Sequence, residues 1–166
     1  CSVASVTTNH PSTSYPKGVT TVVWTVTDAS GNTATATQTV TVNDTQAPAV
    51  TPTANISVPT ALNLCTASVS VTDAVFTDNC SGAVLSYVMS GATTKASTSG
   101  QVGTYTFNRG VTTITYTSTD AAGNSSTASM TVTVNDQQGP TIVPASNISA
   151  STSTCSSSLT VPFATF

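Results

Sequence analysis

The chain has 166 residues, of which 38% are hydrophobic and only 5% are Asp, Glu, Lys or Arg, giving a formal net charge of -3. Three scattered cations, Lys17, Lys95 and Arg109, form no basic stripe that could neutralise phosphates, which excludes nucleic acid as a partner. No run approaches the roughly 18 apolar residues of a membrane span, so direct membrane insertion is excluded for this segment, and the apolar content is too high for a disordered chain.

Val and Thr dominate while strong helix formers are scarce, so strands are expected throughout. In chain order, the first clear strand carries Val22, Trp24 and Val26 on one side. It runs into a turn at Asp28, Gly31 and Asn32, where Asp supplies an Asx turn and Gly or Asn accepts positive φ. Next, Cys65, Ala67, Val69 and Val71 alternate with Thr66, Ser68, Ser70 and Thr72, the pattern of a half-buried strand. Leu85, Tyr87 and Met89 predict another strand, and Tyr105 with Phe107 a further one. Ile114 and Tyr116 then lead to a second turn at Asp120, Gly123 and Asn124. The last strand has Ala128, Met130, Val132 and Val134 on its apolar side.

The chain repeats itself. GVTTVVWTVTDASGNTATATQTVTVND at 18–44 returns as GVTTITYTSTDAAGNSSTASMTVTVND at 110–136, a period of 92 residues counted from Asp28 to Asp120. Cys65 matches Cys155, and Cys80 matches Cys1. The expected organisation is the later part of one repeat (1–44), one whole repeat (45–136) and the opening of a third (137–166), cut from a longer array. About seven short strands per period point to an all-β fold of tandem immunoglobulin-like antiparallel β-sandwiches.

One cysteine of each kind per repeat predicts a Cys65–Cys80 disulfide, with Cys1 and Cys155 paired outside the fragment, and hence an oxidising, extracellular or cell-surface location. Such a bridge closes a loop of about 15 residues, contributing ~3 kcal/mol in the chain-entropy model. Buried free thiols are the alternative. Zinc is disfavoured because no Cys-x2-Cys pair exists and His10 is the only histidine.

GVTT before an alternating strand, then TDAAGN, then VTVND with a following proline, together with the Cys65 and Asp78-Asn79-Cys80 motifs, resembles the hyalin repeat (HYR) family over essentially the whole chain. The family's Phe-Pro-x-Gly turn is nearly kept at Tyr15, Pro16, Lys17 and Gly18, whereas Phe107, Asn108, Arg109 and Gly110 lack the proline. The resemblance implies an extracellular adhesion module arrayed in long surface proteins. The Thr/Ser/Val-rich, charge-poor style is similar to giant bacterial surface adhesins, particularly those of gliding Bacteroidota.

Two junctions, at Asn43 and Asp44 and at Asn135 and Asp136, resemble the linker of cadherins, where such oxygens hold calcium. Asp28, Asp120, Asp73 and Asp78 are candidates to complete a calcium site there. The competing reading is a strand end followed by a turn, because calcium wants six to eight oxygens and each junction has one carboxylate of its own. No cofactor other than calcium is implied.

Trp24 and Tyr116, at equivalent positions, are expected in the core, and Tyr15 and Phe107 as core or corner residues. Tyr87 and Tyr105 are the aromatics left for ligand contact. A single histidine, no glutamate and no nucleophile–base pattern give no foothold for catalysis, so the chain is read as no enzyme. The leading expectation is a disulfide-stapled rigid spacer in a surface filament, stalk or adhesin, whose partners are neighbouring repeats. Alternatives are a module that binds surface glycans or proteins through loops such as 91–103, and an accessory domain of a secreted hydrolase.

Overall fold

A computed structural model of the chain describes every residue except Cys1, residues 152–157, Leu159 and Phe166. The described residues form β-strands and no helix. The first group, β1 (Val3–Thr8), β2 (Gly18–Asp28) and β3 (Thr33–Val42), makes one antiparallel sheet in the order β1-β2-β3.

The second group is β4 (Ala49–Thr51), β5 (Ile56–Pro59), β6 (Thr66–Val71), β7 (Val75–Thr77), β8 (Val84–Gly91), β9 (Lys95–Ser99), β10 (Gly103–Asn108), β11 (Gly110–Thr119) and β12 (Ser125–Asn135). A five-stranded sheet in the order β5-β12-β11-β8-β9 packs on the β6–β10 pair, and β4 pairs with β7. β5 runs parallel to β12, and the other pairings are antiparallel. This is an immunoglobulin-like sandwich.

Alternation explains which faces meet. In β6, Ala67, Val69 and Val71 are buried while Ser68 and Ser70 are exposed. Leu85, Tyr87 and Met89 of β8, Ile114 and Tyr116 of β11, and Met130, Val132 and Val134 of β12 supply the facing layer. Phe107 of β10 fills the centre and is fully buried. Burying each such side chain contributes roughly 1.5–3 kcal/mol, which is the main stabilisation open to a chain with so few charges.

The β2–β3 and β11–β12 hairpins share one register: Gly18 pairs with Val42 as Gly110 pairs with Val134. The preceding strands also correspond, with Val6 opposite Val26 as Leu85 is opposite Ser118. Cys80 nevertheless lies 40 residues before Asp120, and Cys1 only 27 before Asp28. The excess falls between Tyr87 and Phe107, where β9 is added to the free edge of β8. Within residues 91–103, Lys95–Ser99 therefore form an edge strand, flanked by short connections.

Several aromatics differ from expectation. Tyr116 is fully buried, but its counterpart Trp24 is 40% exposed, because no second sheet covers β1–β3 among the described residues. Tyr87 belongs to the core, 6.3 Å from the Tyr116 ring, and is no contact aromatic. Tyr105 is half-buried, edge-on to Phe107 at 5.6 Å and beneath Lys95 Nζ at 4.9 Å. Tyr15 is half-buried and stacks on His10 at 4.5 Å.

Phe107→Ala is expected to lower stability by about 3–5 kcal/mol, through lost burial plus a residual cavity. Tyr116→Phe should instead be neutral or stabilising by up to about 1 kcal/mol, because the Tyr116 hydroxyl is buried without a hydrogen-bond partner. Urea denaturation of the three proteins checks both outcomes; a large loss in Tyr116→Phe would show that the hydroxyl is satisfied.

Candidate functional site

The chemistry of the described residues gathers where the first group of strands meets the second. Residues 43–48 connect β3 to β4. Asp44 in this connection has a side chain only 1% exposed. Its Oδ2 lies 3.5 Å from Lys17 Nζ, at the base of β2, and its Oδ1 accepts the Gln46 amide at 3.2 Å. Its main-chain carbonyl accepts from Asn124 Nδ2 at 3.2 Å. Ser126 Oγ donates to the carbonyl of Pro48, which is itself fully buried.

Asn124 belongs to the β11–β12 turn, which is organised by Asp120. Asp120 Oδ1 accepts the amides of Ala122 and Asn124, each at 2.8 Å, and Oδ2 accepts Asn124 Nδ2 at 2.8 Å. Asp28 repeats this arrangement in the β2–β3 turn, accepting from Ser30 and Asn32. These are the Asx turns that the Asp-x-x-Gly-Asn spacing predicts. Asp78, after β7, accepts the Cys80 amide at 3.3 Å through Oδ2, while its Oδ1 is buried with no partner.

Asp44, Asp78 and Asp120 thus converge, each offering an oxygen within 4.8 Å of the others. Charge and hydrogen bonding at this point act on one another. The Cys80 thiol donates to Asp44, which with the Gln46 amide and the Lys17 charge holds the Asp44 carboxyl below its ordinary range. The same contact, with burial and the Asp44 charge, raises the Cys80 thiol above its ordinary value. A cleft of about 290 Å³ opens beside these groups, between Lys17, Val42 and Asn43 on one side and Asn79 and Cys80 on the other.

Of the residues proposed for calcium, the fold brings Asp44, Asp78 and Asp120 together, with Asn43 on the adjoining cleft. Asp28 sits in the turn of the other hairpin, and Asp73 is exposed before β7; neither joins the cluster. At the second junction Asp136 Oδ1 accepts the Gln138 amide at 3.1 Å, as Asp44 does with Gln46, and Asn135 Nδ2 donates to Ser57 Oγ at 3.1 Å.

The expected Cys65–Cys80 bridge is not formed; both cysteines are free. The reason is topological. The Cys65 carbonyl accepts the Arg109 amide at 2.8 Å, placing it at the Gly110 end of β11. Cys80 sits at the opposite end, beside Asp78 and the Asp120 turn. Ten residues of β11 separate these ends, roughly 30 Å at the rise of a strand, whereas a disulfide needs Cα atoms within about 7 Å. Proximity in sequence hid this, because β6 carries the chain from one end of the sandwich toward the other. Cys1 and Cys155 lie outside the described residues.

The HYR domain family profile matches residues 2–42 and again 43–134. No curated protein matches. Among solved structures, the chain is similar to the protocadherin gammaB7 EC3-6 cis-dimer, at 20% identity and a TM-score of 0.38, over 72% of this chain and 34% of that one. It is also similar to protocadherin gamma B2 extracellular cadherin domains 1-5, at 18% identity and 0.37, over 74% of this chain and 27% of that one. The chain therefore spans about a third or less of each.

Asp28 and Asp120 both titrate below the ordinary carboxylate value of 3.8, chiefly because the side-chain amides of Asn32 and Asn124 donate to the ionised form. A depressed folded value means that the stabilisation is complete above 3.8 and is lost as pH falls through the lower folded value. The thermal midpoint should hide this at neutral pH and fall below about pH 4. Asp120→Asn should lower the midpoint at pH 7 and weaken its acid dependence, as read by circular dichroism across pH.

Proposed function

This chain belongs to the HYR domain family, and on that premise we propose that it is a non-catalytic stretch of an extracellular, adhesion-type array acting as a rigid spacer. The reading comprises one repeat at 45–136, flanked by parts of two others at 1–44 and 137–166, in a surface protein of the bacterial adhesin kind. Its partners are the neighbouring repeats.

The observation that carries it is the seating of Asp44. A flexible tether would leave a linker carboxylate in water; here it is buried and paired with Lys17 from one hairpin, while the main-chain carbonyl of the same residue accepts from Asn124 of the next repeat. The second junction is fastened from its other side. Gln138 accepts the Asn63 amide at 2.9 Å and donates to the Ala61 carbonyl at 2.9 Å, both in the loop between β5 and β6. A short connection with a buried proline and ties in both directions loses the freedom that a Gly/Ser linker of equal length retains.

Negative-stain images of the native array are expected to show straight rods. Asp44→Ala together with Asn124→Ala should introduce bends at the altered junction without unfolding the β11–β12 core. Flexible, beaded chains in the unaltered protein would overturn the spacer reading.

The same junction also favours a calcium ion. Three carboxylates meet there, and Asp78 Oδ1 is buried with no hydrogen-bond partner. Hard oxygen donors suit calcium, which reaches its six to eight ligands when carbonyls and water supplement carboxylates. Millimolar calcium should raise the thermal midpoint by several degrees over a chelator control, through binding to the folded state alone. Asp78→Asn should abolish the rise, and equal midpoints with calcium and with chelator would remove calcium from the junction.

A further inference from the structure

The complete repeat carries its two cysteines at opposite ends, and the junction shows what stands beside each position. Cys80 lines the cleft at the start of its repeat, together with Asp44. Across that cleft stands Lys17, 3.5 Å from the Asp44 carboxylate. Lys17 is the residue before Gly18, and Arg109 is the residue before Gly110. The two glycines open hairpins of identical register and have φ of 113° and 119°, so Lys17 and Arg109 are structural counterparts.

Arg109 identifies what stands beside that position. Its main-chain N–H donates to the carbonyl of Cys65 at 2.8 Å, so Cys65 adjoins the residue that corresponds to Lys17. A cysteine in the Cys65 position of the repeat that ends at Asp44 would therefore adjoin Lys17, at the mouth of the cleft that holds Cys80. Cys65 itself is exposed at the far end of its repeat, beside the junction at Asp136.

We propose that the disulfides of this protein run between repeats, joining the cysteine at the Cys65 position of one repeat to the cysteine at the Cys80 position of the next. This rests on the tandem-array reading above. On this scheme Cys65 and Cys80 occupy the two complementary positions of one repeat but are never partners, because the sandwich holds them at opposite ends. Cys155 and Cys1, matching Cys65 and Cys80 in sequence, would serve the adjoining junctions.

The chemistry is ordinary thiol–disulfide exchange with an external disulfide, such as a disulfide oxidoreductase or oxidised glutathione. The exposed thiol at the Cys65 position, as thiolate, attacks the oxidant, breaking its S–S bond and releasing one thiol. The thiol at the Cys80 position, on losing its proton, displaces the second. One S–S bond forms between repeats, and the oxidant, having taken two electrons and two protons, leaves as two thiols.

A mechanical consequence follows from the connectivity. Within each repeat the covalent path from one bridge to the next is only the segment from Cys65 to Cys80. Those 15 residues extend to at most ~50 Å, against ~300 Å for a 92-residue period. Pulled along its axis, an oxidised array could extend only to about a sixth of the length the same array reaches when reduced.

Peptide mapping of the native array tests this, with thiols blocked by iodoacetamide before non-reducing digestion. The expected product joins the Cys65 peptide to the peptide bearing the Cys80 counterpart of the following repeat. The isolated 166-residue chain, oxidised and blocked in the same way, should contain no Cys65–Cys80 bridge. A Cys65–Cys80 link within one repeat, or blocked thiols at both positions in the native array, overturns the proposal. Force spectroscopy of the native array with and without a phosphine reductant gives a second readout: full-length extension only after reduction is expected, and equal extension in both states refutes it. Rods with free thiols would sink the bridge and spare the spacer; flexible chains would sink the spacer.

Discussion

A chain with three cations and six acids cannot be held together by ion pairs, and its fold depends on one apolar surface. That surface is the inward face of the five-stranded sheet, where Leu85, Tyr87, Ile114, Tyr116, Met130 and Val132 meet Phe107, Val69 and Val71 from the opposing pair. β11 is its centre, hydrogen-bonded on both sides and buried at every second residue. The outward residues of β11 and β12 are largely Thr and Ser, which suit a wet strand face without adding charge. The outer face of these two strands is therefore uncharged and hydroxyl-rich.

Most of the few charges lie at strand ends, turns and connections. Asp28 and Asp120 each bind the amides of their own turn, so the two hairpins are locally closed units. The second of these turns serves the junction too, since Asn124, oriented by Asp120, also donates to the Asp44 carbonyl. Turn, linker and neighbouring hairpin thus share one hydrogen-bond network. Within the sandwich, polar side chains play a comparable part: Gln101 pairs both ways with the backbone of Ala74, fixing the bend between β6 and β7. Thr93 and Thr112 satisfy buried amides where β8 leaves the sheet.

The two cysteines show how an ordered sandwich redirects a sequence pattern. Closeness along the chain suggests a bond within the repeat, but an extended strand between two residues is the surest way to separate them. The Asp120 end of the sandwich meets the connection from β3, so groups placed there face the first group of strands. The same geometry that denies Cys65 and Cys80 to one another brings Cys80 against the Asp44 linker and leaves Cys65 beside the next junction.

Much of the fold could be read without coordinates, because alternation with period two and an internal repeat are local or self-referring signals. The strands around Val69, Tyr87, Ile114 and Val132, both Asx turns and the all-β class follow from them. Short elements such as β4, β5 and β7 carry too few residues to show a period, and β9 is polar on both faces, so these emerged only from pairing. The face of Tyr87, the exposure of Trp24 and the convergence of Asp44, Asp78 and Asp120 were likewise undecidable in advance. Each depends on which sheet lies opposite or which loop lies adjacent, and that is set by contacts between residues as much as 80 positions apart. Composition and spacing report what a strand must bury; only the packed sandwich decides what it meets.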